Sequence, residues 1–281
     1  MIQKILLADS GIGLTAEMLQ SLRDLPAIKG ASVTILHVVP RQVTTEAMED
    51  KMAEGEKILA QTLEKLNIEG DRVETMLRQG DPKDTVCKVA QEVKADLIIM
   101  GSRGLKRLES ILENSVSQYV FQLTNRPMLL VKDDIYVKKI KRVMVALDKS
   151  EVAQFALELA ISIVKGDNNV ELILARVNPD IDPKLLPLSK AEMENNPVVA
   201  DALSLVKRQG VKYRCIVTGG RPSQEICKLT DEYNADLLVM GSPDRRPSIA
   251  KGLPDLDRLL GTSLSDYVRV NANCPVLLAR K

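Results

Sequence analysis

Tryptophan is absent from these 281 residues, phenylalanine occurs twice and histidine once. Aromatic residues make up 2% of the chain, so it has few platforms on which single-stranded bases could stack. With His37 as the one histidine, neither a Ser–His catalytic pair nor a multi-histidine metal site is expected. Its place in an apolar run reads as a packed strand residue. Ser102 and Ser117 have no evident base. Lysine and arginine number 39 against 38 acidic residues, a net charge of +1. That balance makes no electrostatic case for nucleic acid or an anionic membrane as partner. No apolar run approaches the ~18–20 residues of a membrane span. The opening MIQKILLADSG reads as a strand entering a turn, its apolar part too short for a signal peptide. The four cysteines (Cys87, Cys215, Cys227, Cys274) show no CxxC spacing, which reads as reduced thiols in a cytoplasmic protein. The GxxxxGK[ST] pattern is missing too, which disfavours an ordinary P-loop ATPase.

Apolar residues are plentiful, 45% of the chain. That is enough for real cores, at a length that suits one large domain or two ordinary ones. An internal repeat decides for two. KILLADS at 4–10 recurs as RVMVALD at 142–148, and VTILHVVP at 33–40 as VELILARVNP at 170–179. Gly80-Asp81-Pro82 recurs as Gly220-Arg221-Pro222, Cys87 as Cys227, and ADLIIMGS at 95–102 as ADLLVMGS at 235–242. SVSQYV at 115–120 recurs as SLSDYV at 263–268, and NRPMLL at 125–130 as NCPVLL at 273–278. A unit of about 140 residues is duplicated. The expected domains are 1–132 and 141–281, with a charged linker at 133–140.

Each copy reads βαβαβαβαβ. Short apolar strands are expected at 2–8, up to Val39, and at 72–78, 96–100 and 127–131. Their counterparts are 141–147, the run ending at Val177, 211–217, 236–240 and 275–279. Ala153, Ala156, Leu157, Ala160, Ile161 and Val164 fall on one face at helical period. A less regular stripe of Met48, Met52, Ile58, Leu59 and Leu63 marks a helix over 45–66. The matching region, 185–209, is broken by Pro187 and Pro197 and predicts a loop and a shorter helix. The third helices start just after Pro82 and Pro222, and the last helices cover 115–124 and 263–271. Strands joined through helices predict an α/β protein of two tandem doubly wound parallel sheets.

In such a sheet the ligand crevice lies beyond the carboxyl ends of the strands. Those ends hold Asp9, Val38, Gly80-Asp81 and Gly101-Ser102 in copy one, and Asp148, Val177, Gly220-Arg221 and Gly241-Ser242 in copy two. Gly101 and Gly104 flank a turn where backbone comes close to something or takes a positive φ. Asn114 and Ser115 open the last helix, suit a cap, and leave N–H groups that favour a phosphate. Arg103, Lys106 and Arg107 could neutralise further phosphate charge. Asp9 could accept from a ribose hydroxyl or share Mg²⁺ with the phosphates. A plainer reading stands beside this: the glycines only make tight turns and Asp9 only caps the first helix. A lone GxxG does not decide between them.

Taken together, these residues resemble the universal stress protein family, twice over and across nearly the whole chain. ATP-binding members of that family carry Gly, two residues, Gly, nine residues, Gly, then Ser or Thr. Gly101, Gly104, Asn114 and Ser115 keep that register, with Asn114 where the third glycine belongs. Asparagine is the next best residue for left-handed backbone. The resemblance maps the first-strand aspartate to Asp9 and Asp148 and the adenine-contacting valine to Val38 and Val177. The SVSQYV segment and the Pro-apolar last strand match as well. Implied for copy one is an ATP or ADP site of Ala8, Asp9, Ser10, Val38, Gly101, Arg103, Gly104, Asn114, Ser115 and Val116. Mg²⁺ at Asp9 is a candidate companion. Asp148, Val177, Gly241 and Ser263 are the corresponding candidates in copy two. The implied fold is Rossmann-like, of the adenine nucleotide alpha hydrolase kind.

Copy two departs at the loop. Asp244 replaces the second glycine, where a carboxylate repels phosphate, and a longer segment with Arg245, Arg246 and Lys251 precedes Gly261-Thr262-Ser263. Its site is expected to be weakened or altered. The resemblance implies a cytoplasmic, stress-linked nucleotide sensor with no evident catalytic base, so that any hydrolysis is slow. Two alternatives remain: a scaffold that binds a protein partner without nucleotide, and a slow nucleotide-hydrolysing enzyme. The last strands are apolar throughout, and an exposed edge of that kind is a liability. The two copies are therefore expected to pair them within one chain as an internal pseudo-dimer. Association of two chains into a homodimer is compatible with this.

Overall fold

The computed structural model describes residues 2–68, 72–102, 116–181, 186–243 and 263–280. The first half runs β1 (Lys4–Ala8), α1 (Thr15–Arg23), β2 (Ser32–Val39), α2 (Thr45–Leu66), β3 (Val73–Gln79), α3 (Pro82–Glu92), β4 (Leu97–Ser102), α4 (Val116–Leu123) and β5 (Met128–Lys132). The second runs β6 (Arg142–Ala146), α5 (Glu151–Val164), β7 (Glu171–Val177), α6 (Lys190–Glu194), α7 (Pro197–Arg208), β8 (Tyr213–Thr218), α8 (Pro222–Glu232), β9 (Leu237–Gly241), α9 (Leu264–Asn271) and β10 (Val276–Ala279). Among the described residues no helix is long and apolar enough to cross a membrane.

All ten strands form one sheet, in the order β3-β2-β1-β4-β5-β10-β9-β6-β7-β8. Pairs within a half are parallel. The halves meet through β5 and β10, which pair antiparallel with Leu129 opposite Leu277. Every residue of both strands is buried, so the pairing removes the two edges that could least tolerate water.

Strand alternation then splits the side chains between two faces. Ile5, Leu7, Leu129, Val131 and Leu277 point into one core, which is closed by α1, α2, α5 and α7. Leu6, Ala8, Met128, Leu130 and Leu278 point into the other, under α3, α4, α8 and α9. Each core runs across both halves. Fully burying one Leu or Ile side chain contributes roughly 1.5–3 kcal/mol, and Leu and Ile are mixed with Val, Ala and Met in both cores.

Repeated residues explain repeated joints. Asp96 Oδ2 accepts from the N–H groups of Gln3 and Lys4, both at 2.9 Å. Asp236 Oδ2 does the same for Lys141 and Arg142 at 2.8 Å. These aspartates lock the amino ends of the strands, away from the ligand end. Pro82 and Pro222 sit in the first turns of α3 and α8, as the sequence predicts. Helix α2 spans the expected residues, and of the expected stripe Leu59 is buried and Met48, Met52 and Ile58 are half-buried. Gly55, Leu59, Thr62 and Leu66 turn inward, while Leu63 is 37% exposed. In α5 the buried set also includes Leu159 and Ile163, and α7 packs against this helix. Region 185–209 becomes short α6, with a Ser189–Glu192 capping box, and α7, started by Asn196 and Pro197.

Candidate functional site

A cavity of about 870 Å³ lies beyond the carboxyl ends of β1, β2 and β4, bounded by α2 and the start of α4. Its volume falls within the ~300–1,000 Å³ usual for small-molecule sites. The structure brings Ala8, Asp9, Ser10, Val38, Gly101 and Val116 into its wall. Arg103, Gly104, Lys106, Arg107, Asn114 and Ser115 lie outside the described residues. Sequence reasoning missed His37, Lys51, Glu54, Ile58, Ser117 and Asp133, which also line it. Only the apolar stripe of α2 hinted that this helix faced anything.

Asp9 is 9% exposed, and every one of its polar backbone and carboxylate oxygens has a partner. Oδ1 accepts from the Gly11 N–H at 2.9 Å, and Oδ2 from the Thr62 hydroxyl at 2.5 Å. The backbone oxygen pairs with His37 Nδ1 at 2.8 Å. A carbonyl only accepts, so Nδ1 carries the ring proton and a neutral ring keeps Nε2 as acceptor. Asp9 thus ties the β1–α1 turn, α2 and β2 together. On the outer rim, Lys51 Nζ stands 2.6 Å from Glu54 Oε2, and that hydrogen bond holds the Glu54 carboxyl below the usual range. Both side chains are more than half exposed, so the pair adds little stability.

Gly101 and Gly241 look alike in sequence and differ in surroundings. Among the described residues, a Cβ on Gly101 would meet nothing nearer than Thr15 Cγ2 at 3.8 Å. The described neighbours therefore leave room for a side chain there, and Gly101 lines the cavity. A Cβ on Gly241 would lie 2.6 Å from the carbonyl carbon of Val152, so close packing against α5 requires that glycine. The difference arises upstream: relative to its strand, α5 begins two residues earlier than α1.

The second half needs one correction. Asp148 is not the positional counterpart of Asp9. The Asp9 N–H donates to Leu36 at 2.9 Å, and the equivalent bond to Ala175 at 2.8 Å comes from Leu147. Arg176 Nη1 donates to Leu147 O at 3.2 Å, as His37 does to Asp9. Leu147 is buried at 6%. Asp148 is exposed, one residue further on, and its Oδ1 accepts from Ser150 N–H at 2.7 Å. Val177 is buried at the end of β7. Ser263 caps α9, accepting from the Asp266 N–H at 3.2 Å. Asp244, Arg245, Arg246, Lys251, Gly261 and Thr262 lie outside the described residues.

Met100 and Met240 belong to the core, as expected. Cys87 and Cys227 are half-buried, and burial pushes both thiols up to about 11.

The sequence pattern of the universal stress protein family matches residues 1–132 and again 139–280. Universal stress protein Mb2028c of Mycobacterium bovis is 27% identical over 279 residues, covering 91% of this chain and 89% of its own length. Universal stress protein YxiE of Bacillus subtilis is 31% identical over 148 residues, 47% of this chain and 100% of YxiE. A solved universal stress protein from Archaeoglobus fulgidus superposes with a TM-score of 0.75 at 23% identity, covering 99% of this chain and 96% of that one. That likeness is one of fold.

Proposed function

The chain belongs to the universal stress protein family, and from that premise we propose that it is a stress-response regulatory protein whose first half binds an adenine nucleotide, ATP or ADP. The observation that carries this reading is the first-half cavity at the strand ends, lined by Gly101, whose described neighbours leave its Cβ position open. A missing Cβ at a strand end lets a phosphate come close to backbone. Val38 supplies an apolar wall for a base, and Val116 and Ser117 bring the first turn of α4 to the opposite side. Arg103, Gly104, Asn114 and Ser115 complete the phosphate end in this proposal. In the second half Gly241 serves packing and Leu147 stands where Asp9 would be, which favours one nucleotide per chain.

Asp9 is the described residue that would share Mg²⁺ with the phosphates. Each of its carboxylate oxygens already accepts one hydrogen bond, and no group of three His, Cys, Asp or Glu side chains converges among the described residues, so the phosphates would have to supply most of the ligands. The proposed role is binding and signalling to a protein partner, for which turnover is not required. Calorimetric titration of the full chain with ATP and with ADP tests the reading, and no heat at millimolar nucleotide would sink it.

A further inference from the structure

Lys132 ends β5 and Arg280 follows β10, at equivalent positions of the repeat. Both are buried, each 3% exposed. Each side chain holds a helix of the other half. Lys132 Nζ donates to the carbonyls of Val270 and Ala272 at 2.7 and 2.5 Å, at the end of α9. Arg280 Nη1 donates to the carbonyls of Phe121 at 2.5 Å, Thr124 at 2.6 Å and Gln122 at 3.4 Å, at the end of α4. Its guanidinium also lies 4.2 Å from the centre of the Phe121 ring.

The last carbonyls of a helix have no partner of their own, and that end carries partial negative charge. A buried guanidinium satisfies both needs at once. Helix α4 has eight residues, too few to hold its place by intrinsic stability, so tertiary ties set its position. Its other end lies about 12 Å away and gives Val116 and Ser117 to the cavity wall. A rigid segment that short transmits a shift at one end to the other.

We propose that Arg280, contributed by the second half, is a positioning residue for the nucleotide site of the first half. The inference rests on the adenine-nucleotide reading above. It makes the first-half site incomplete without the second half, although among the described residues no second-half residue lines the cavity. It also gives the two halves a physical reason to stay fused: the last strand of each fixes the last helix of the other. Lys132 makes two bonds to α9, whereas Arg280 reaches three carbonyls of α4 and its cap and lies over an aromatic ring.

The experiment uses the full chain in three forms: wild type, Arg280→Met and Arg280→Lys. ATP binding is measured by calorimetry, and amide exchange is followed over residues 116–123. Wild type binds. Arg280→Met loses about tenfold in affinity, within the range of ordinary coupling between sites, and exchange over 116–123 rises. Arg280→Lys recovers most of both losses, because Lys132 already does the mirror-image task with an ammonium group. Wild type failing to bind ATP overturns the nucleotide reading and this inference with it. Wild type and Arg280→Met binding equally overturns this inference alone, as does an affinity loss that lysine does not repair. Should Arg280→Met not fold, Arg280→Gln, which keeps amide donors and loses the charge, is judged by the same criteria.

Discussion

Thr62 donates its hydroxyl proton to Asp9 Oδ2 across 2.5 Å, joining the carboxyl-terminal part of α2 to the end of β1 over 53 residues of sequence. Both groups are buried, Thr62 at 4% and Asp9 at 9%. Removing one partner leaves the other unsatisfied. Asp9→Ala strands the Thr62 hydroxyl and the Gly11 N–H and is expected to destabilise the fold by about 2 kcal/mol. Asp9→Asn can keep both contacts by turning its amide and should cost less than half as much. Urea denaturation of the two variants checks this. Equal losses would mean that the carboxylate charge, not the hydrogen-bond pattern, is what the site needs.

The two strand-end glycines separate packing from ligand contact. Gly241→Ala drives a Cβ into the backbone of Val152 and is expected to lower stability by about 1–3 kcal/mol. Gly101→Ala meets only ordinary contacts. It should leave the melting temperature near wild type while weakening nucleotide binding. Thermal melts with and without ATP read both effects. A destabilised Gly101→Ala protein would place Gly101 in the packing.

The thiols set an alkaline limit. Burial raises Cys87, Cys215 and Cys227 to about 11 and Cys274 to about 12, against 9.0 for an ordinary thiol. An unfolded chain releases these protons near the ordinary value, and the folded chain keeps them longer. The stability they contribute is therefore complete below that value and is lost as pH rises from it toward the folded values. Urea midpoints should fall as pH rises from about 9 toward about 11. The same protonation predicts slow labelling of native protein by alkylating agents near neutral pH. Rapid labelling of Cys87 or Cys227 would contradict it.

Arg269 and Asp266 form a buried pair at 3.4 Å, with side chains 4% and 2% exposed. Burial lowers the Arg269 pKa, opposed by the carboxylate beside it. Arg269→Met leaves Asp266 without its cation and is expected to cost about 3 kcal/mol. The first half has Gln118 and Phe121 at the matching positions, so the double change Asp266→Gln with Arg269→Phe should recover part of that loss. A double variant less stable than Arg269→Met would show that the pair cannot be replaced by the neutral solution.

Much of this was legible in the residues. The duplicated strings predict the two five-stranded halves, and the apolar last strands predict the β5–β10 pairing that joins them into one sheet, because burial on both faces leaves no other place for Leu129 and Leu277. Other features were hidden by three-dimensional distance. Nothing local to Thr62 says that it turns inward to meet Asp9, so the helix stripe pointed to Leu63 instead. The strings KILLADS and RVMVALD already place Asp9 opposite Leu147, one residue from Asp148, and the backbone bonds to Leu36 and Ala175 confirm that offset. Gly101 and Gly241 sit in nearly identical runs, and a two-residue difference in the preceding turn gives them different neighbours. Arg280 carries no motif at all, since its partners lie more than 150 residues away.

The central claim is that one adenine nucleotide binds per chain, in the first half. Calorimetric titration of the full chain with ATP tests it most directly, with Gly101→Ala and Gly241→Ala titrated alongside. The account predicts one site per chain, weakened by the change at Gly101 and kept by folded Gly241→Ala protein. Two sites per chain, or a single site lost only with Gly241, would contradict it.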